Sequence, residues 1–259
     1  MAKHNRVWNQ AVHERYVLEG RGSGWGPGYK PWIRVQDFAS RGVVSRVKGR
    51  TTGRVHHLMS NNELAYFYML DWSDRVTDIR EQYPLSDLEC ATNIAAQAGI
   101  RYPKDNMSGY PYVMTCDFLI STASGPVART VKMSWELSDT RVLEKLEIER
   151  RYWSMFGVDW KIVTENEISY RRAKNIEWLY SARELPMTDT LKSAAAELLQ
   201  IIVASESSVT ESAKLIESYY CLKPGVGLQL YKYLALNGIL KIDLNEPVNL
   251  NAKGLAVAV

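Results

Sequence analysis

The chain is short of the residues that staple secreted domains or build zinc modules. It has three cysteines, Cys90, Cys116 and Cys221, an odd number at wide spacing. They match neither a disulfide framework nor a zinc pattern and suit a reducing cytosol. Histidine is also scarce: His4, His13, His56 and His57 are the whole complement, so with no cysteine at ligand spacing zinc is not expected. No apolar run approaches the length needed to cross a bilayer. The opening MAKHNRVWNQ is charged and polar where a secretory signal would be apolar. A cytosolic protein with no membrane partner is expected. The glycine cluster at 20–28, GRGSGWGPG, lacks the GK[ST] ending of a phosphate loop and follows no strand, so it reads as a flexible connector.

What is present fits a core-forming α/β protein of one large or two ordinary domains, with 259 residues, 46% of them hydrophobic and 24% charged. The net charge of +3 hides an asymmetry. Of 32 basic and 29 acidic residues, the first sixty positions hold 11 and 3, leaving 21 and 26 for the rest. Such a basic block suits contact with a phosphate backbone, since each cation near DNA releases a condensed counterion. A merely solvated surface is the alternative.

Patterning along the chain gives an order of elements. Residues 7–20 read as a short helix, and Pro31 to Leu58 as strands or a hairpin (WIRVQDF, then GVVSRVKGRTTGRVHHL) turning at Gly49 or Gly53. Ser60 opens a helix, with Glu63 placed to complete a capping box. VTDIREQY reads as a strand and residues 87–98 as a helix. YVMTCDFLI and VARTVKMSW form an antiparallel pair turned at Ser124-Gly125. Asp139 or Thr140 caps a helix that runs to Gly157, with LEKLEIERR as a solvated face and Tyr152, Trp153 and Phe156 as core. A strand at 159–164 and a helix at 171–181 follow. After Pro186 three helices lead to two short β segments, ILKIDL and PVNLNA, an order like that of a winged helix. The boundary falls between 165 and 185, giving domains 1–170 and 171–259. Residues 186–259 carry six lysines, no arginine and seven acids, a poor footprint for DNA and a better one for a protein partner. The apolar end GLAVAV is suited to pack on, or add a strand to, such a partner.

Three charged residues stand out against this pattern. Glu63 lies on a helix, Asp117 in one apolar strand and Lys132 on its paired strand. Hydrolysis of a phosphodiester needs acidic oxygens to hold Mg²⁺ and a cation to stabilise charge. Thr130 and Lys132 share a strand face, and across the hairpin that face can meet Asp117. A charged Asp and Lys inside apolar strands are hard to explain by packing. Taken alone, the spacing is a weak signal, and Glu63 serves helix capping equally well. Of the adjacent His56 and His57, at most one can face such a site.

The surrounding text is more specific. GRVHHLMSNNELAYFYMLDW, VTDIREQYPL, YVMTCDFLIS, LEKLEIERRYW and NIEWLY together closely resemble the TnsA family of transposon-end endonucleases, continuously from about Gly20 to Tyr180. The resemblance implies a restriction-endonuclease-like mixed sheet flanked by helices, with a small C-terminal winged-helix-like domain. It implies Mg²⁺ dependence, for which Mn²⁺ can substitute. It also implies cutting of the 5′ strand of double-stranded DNA at transposon ends, beside a TnsB-like DDE transposase and a TnsC-like AAA+ regulator that engages the C-terminal region. The family's glutamate, aspartate and lysine fall on Glu63, Asp117 and Lys132. Where the family often has Gln, this chain has Thr130, a shorter and weaker ligand, so direct metal contact there is an open point. The Val131 carbonyl is available whatever residue supplies it. A DNA-binding assembly adaptor with a weakened nuclease centre, encouraged by Thr130, and a stand-alone nuclease remain alternatives.

Overall fold

The structure, a computed structural model, describes residues 7–37, 43–204, 207–251 and 257–258. The chain divides into two compact units, Met1–Ile168 and Ser169–Val259. His4 and most of GLAVAV lie outside the described residues.

The first unit starts with α1 (Gln10–Leu18), capped by Asn9, whose Oδ1 accepts the Val12 N–H at 3.0 Å. The glycine run after it is not a loose connector. Ser23 and Lys30 form a β-bridge, and Gly22, at φ +74°, lies so near Pro84 that a Cβ would come within 2.3 Å of the proline Cγ. Only glycine allows that approach. The described residues of WIRVQDF, 32–37, form no strand either. Asp37 accepts the Arg34 N–H at 2.8 Å and pairs with Arg21 at 2.5 Å, which winds Val35–Asp37 into a 3₁₀ turn. Among the described residues the expected hairpin is confined to β1 (Ser45–Lys48) and β2 (Val55–Leu58).

α2 (Asn61–Trp72) follows its Ser60 cap and leads to β3 (Val76–Pro84) and α3 (Leu88–Gln97). Then come β4 (Thr115–Thr122), β5 (Gly125–Val131), α4 (Thr140–Met155) and β6 (Asp159–Val163). The sheet order is β3-β4-β5-β6, antiparallel except for the parallel β5–β6 pair. On one face α3 and α4 bury Ala91, Ile94, Ile148 and Trp153 against Cys116, Leu119 and Ala128. α2 contacts Phe118 through Tyr66, at a ring separation of 5.8 Å. It also seats a fully buried Phe67 against His56 of β2. A large apolar side chain removed from water in this way contributes about 1.5–3 kcal/mol.

A charged knot ties the β1–β2 ribbon to the sheet. Glu81 of β3 accepts from Arg54 through both oxygens, from the His57 N–H at 3.0 Å, and is bonded to His56 Nδ1 at 2.8 Å. Burial alone would raise the Glu81 carboxyl, but the Arg54 and His56 bonds outweigh it and hold it at about 2. Arg21 and Arg54 are thus inward-facing ion pairs, so part of the basic N-terminal block serves packing. Two residues beyond Glu81, Tyr83 meets Trp153 of α4. The strand turns over at the residue between them, Gln82, whose φ is +48°. A non-glycine residue held there costs about 1–3 kcal/mol.

The N-terminal segment is stitched to a distant loop. The Trp8 N–H donates to Asp105 at 3.3 Å, its indole N–H to the Pro111 carbonyl at 2.8 Å, and Ser108 Oγ donates back to the Trp8 carbonyl at 2.5 Å.

The second unit packs α5 (Tyr170–Tyr180), α6 (Asp189–Ala204), α7 (Val209–Tyr219) and α8 (Val226–Leu236) around Leu198, Ile216, Leu230 and Leu234. Gly227 brings α8 onto α7, where a Cβ would stand 2.4 Å from the Ala213 carbonyl oxygen. β7 (Leu240–Lys241) pairs antiparallel with β8 (Val257–Ala258), so the expected PVNLNA strand is replaced by the chain end. Asn175 Nδ2 donates to the Leu244 and Glu246 carbonyls, each at 2.8 Å, and the Thr210 N–H donates to Leu250 at 3.0 Å. These bonds engage carbonyls just before and within PVNLNA, whose described residues, 247–251, form no strand.

Candidate active site

Glu63, Asp117 and Lys132 come together at one end of the β4–β5 hairpin. Ladder pairing between these strands ends at Phe118↔Arg129. Beyond it the Asp117 side chain substitutes for a strand partner, its Oδ2 accepting the Val131 N–H at 2.7 Å. Lys132 Nζ lies 3.7 Å from the same oxygen and donates to the Val131 carbonyl at 2.9 Å. Asp117's carboxylate is the main reason the Lys132 ammonium is pushed up, so it is charged at neutral pH.

Glu63 reaches the centre from the first turn of α2. Ser60 Oγ accepts the Glu63 N–H at 3.1 Å, as expected of the cap. The rest of the capping box differs: the Glu63 carboxylate accepts from the Met59 N–H and the Ser60 hydroxyl, each at 3.0 Å. Those bonds aim it at Asp117. The two carboxylates are bridged by Gln82, whose Nε2 lies 3.3 Å from Glu63 Oε2 and 3.3 Å from Asp117 Oδ1. Burial, and then the charge of Asp117, raise the Glu63 carboxyl to about 8. Two acids held this way in low dielectric repel each other, an arrangement that a cation relieves.

Glu149 is the residue the sequence concealed. It sits among i,i+4 charges on α4, and Glu147 does pair outward with Arg150 and Arg151. Glu149 instead points inward and is buried. Thr130 Oγ1 donates to it, and Trp160 Nε1 donates to it at 3.0 Å. Burial raises its carboxyl to about 7. Thr130 therefore spends its hydroxyl on Glu149. The signal that could have found Glu149 is its spacing from Tyr152, one turn away on the apolar side. Neither adjacent histidine reaches the centre: His56 holds Glu81, and His57 Nδ1 accepts the Val35 N–H at 3.3 Å. Of the aromatic stripe, Tyr152 and Trp153 are buried and Phe156 is exposed.

A cavity of about 270 Å³ exposes Glu63, Val131, Lys132 and Met133. A second, of about 320 Å³, takes in Asp117, Thr130, Lys145 and Glu149. Lys132 and Glu136 line both. Among the described residues no three His, Cys, Asp or Glu side chains gather as a metal-holding group. The centre offers two carboxylates and a backbone carbonyl, an all-oxygen set that suits Mg²⁺, which is commonly held by one or two carboxylates plus substrate phosphate.

A mixed sheet flanked by helices, with an aspartate and a lysine on its central hairpin and a glutamate on the preceding helix, defines a restriction-endonuclease-like nuclease core. The family described as "TnsA-like endonuclease N terminal" matches residues 73–165, a span that holds Asp117 and Lys132 but not Glu63. "TnsA endonuclease C terminal" matches residues 167–244. "Transposon Tn7 transposition protein TnsA" of Escherichia coli is 37% identical over 255 residues, covering 97% of this chain and 92% of that protein. The chain belongs to the TnsA family of endonucleases. Among the described residues no helix is long and apolar enough to cross a membrane.

Proposed function

We propose that the protein cuts the 5′ strand of double-stranded DNA at transposon ends in the cytosol, in a reaction that depends on Mg²⁺ or Mn²⁺. A DDE transposase partner cuts the 3′ strand, and an AAA+ regulator engages the C-terminal unit. The observation that carries this reading is the buried meeting of Glu63 and Asp117, 3.3 Å from a shared amide, with Lys132 ion-paired to Asp117.

Glu63, Asp117 and the Val131 carbonyl would hold the cation. Once bound, it supplies Lewis acidity to the scissile phosphate. Lys132 brings a fixed positive charge with donors to spare, placed to bond a phosphate oxygen and stabilise charge that develops in the transition state. Asp117 keeps that ammonium charged and in place. Thr130 and Trp160 fix the Glu149 carboxylate, which lines the same cavity as Asp117 and Lys132.

The test is strand-specific cleavage of end-labelled transposon-end DNA, with transposase and regulator present. The wild-type chain is expected to cut the 5′ strand only when Mg²⁺ or Mn²⁺ is added. Asp117→Ala should abolish that cut while the protein stays folded and enters the complex. Glu63→Ala should do the same, with about 1 kcal/mol of added helix destabilisation. Cation-dependent nicking that persisted in Asp117→Ala would refute the assignment.

A further inference from the structure

Gln82 combines two features that packing does not account for. Its φ of +48° lies where residues with a Cβ are uncommon, and among the described non-glycine residues only Cys221 shares a positive value. Its side chain is buried, and both of its side-chain polar atoms are committed. Nε2 donates to Glu63 and Asp117, Oε1 accepts from Thr115 Oγ1 at 3.1 Å, and the backbone carbonyl accepts the Trp32 N–H at 3.2 Å. An apolar filler would need none of these bonds, and glycine or asparagine would suit the backbone better. A strained backbone that aims one amide at two carboxylates points to the carboxylates as its purpose.

We propose that Gln82 is a positioning residue of the nuclease centre, its amide setting the rotation of the Glu63 and Asp117 carboxylates so that their remaining lone pairs converge on one divalent cation. This rests on the reading of those two acids as cation ligands. Every other carboxylate oxygen in the pair has a further anchor. Glu63 Oε1 has Ser60 and Oε2 has Met59, while Asp117 Oδ2 has Val131 and Lys132. Asp117 Oδ1 is held by Gln82. Without the amide, Asp117 Oδ1 loses its anchor and the hydrogen-bonded link between the two carboxylates is lost. At 3.3 Å the two bonds are long, so they orient the oxygens while competing weakly with a cation for them. Partners of this kind, one shell out from the metal, typically govern affinity by about ten- to a hundredfold.

The experiment is calorimetric titration of the full chain with Ca²⁺, an oxygen-seeking probe, alongside thermal unfolding in chelator. Wild type, Gln82→Met, Gln82→Gly and Asp117→Ala are compared. Gln82→Met keeps the volume, and Gln82→Gly relieves the backbone should the first fail to fold. Asp117→Ala is expected to lose Ca²⁺ binding. Both Gln82 variants are expected to bind at least about tenfold more weakly while staying folded in chelator, a change that a purely structural role would not produce. Wild-type affinity in a folded Gln82 variant, with binding lost in Asp117→Ala, overturns the positioning role alone. Wild-type affinity in Asp117→Ala overturns the ligand reading and this proposal with it.

Discussion

Replacing Glu81 by glutamine tests whether the charged knot beneath β2 is held together as the structure implies. The carboxyl of Glu81 sits at about 2 against an ordinary 4.5, a difference of about 2.5 units, or about 3.5 kcal/mol at about 1.4 kcal/mol per unit. Because the folded value lies below the unfolded one, this stability is present in full above the unfolded value and is lost as pH falls through the folded one. The window is therefore about pH 5 down to about pH 2. Glu81→Gln also leaves the Arg54 guanidinium, with a side chain only 8% exposed, beside a neutral amide. Breaking one side of a buried pair costs about 3–5 kcal/mol. Seven of the eight tryptophans lie in the first unit, so urea unfolding followed by tryptophan fluorescence reports chiefly on it. The wild-type minus variant difference should be about 3–5 kcal/mol near neutrality and shrink steadily below about pH 4. A variant within about 1 kcal/mol of wild type at neutral pH, or a difference flat down to about pH 3, would refute the reasoning.

Other perturbations probe separate parts of the structure. Thr130→Ala removes one donor to Glu149 but leaves Trp160, so substantial 5′-strand cleavage should remain; a loss as deep as that of Asp117→Ala would make the hydroxyl a direct participant. Gly227→Ala drives a Cβ against the Ala213 carbonyl at 2.4 Å and should cost about 1–3 kcal/mol by calorimetric melting; an unchanged melting temperature would mean that the two helices slide apart freely. A fragment spanning Ser169–Val259 should fold alone, capture the AAA+ regulator in a pull-down and bind duplex DNA negligibly at physiological salt. Tight, salt-sensitive DNA binding without capture of the regulator would move the partner surface to the first unit.

Most of the element order could be read from periodicity and caps, because α2, α4 and the β4–β5 hairpin carry strong local signals: Ser60, Asp139 and Ser124-Gly125. The failures share a cause. WIRVQDF has strand-like composition, yet an Asp37 side chain three residues from Arg34 winds it into a turn. PVNLNA looks like the second strand of a wing, yet side-chain and backbone donors from α5 and α7 engage the carbonyls at and beside it. Asp117 and Lys132 were legible because charge inside an apolar strand is conspicuous. Glu149 was not, since a glutamate among i,i+4 charges looks solvated whichever way it faces. Gln82 had no local signal at all; its backbone angle and its two partners exist only once three elements meet.

The stitching of Trp8 to the 105–111 loop bears on how the chain can fold as it is made. Trp8 and Pro111 are 103 positions apart, so the bonds that seat the N-terminal segment have no partners until that loop has been synthesised. At about 5–20 residues per second the wait is about 5–20 s. During it the backbone N–H of Trp8 has no Asp105, and its indole no Tyr112 or Pro111, to meet. Closing so long a loop also carries an entropic cost that local helices do not face. Trp8 is thus made well before it can be locked in place, and a truncation through Trp8 should loosen a loop a hundred residues downstream as well as the helix beside it, whose His13 and Tyr16 rings it packs against.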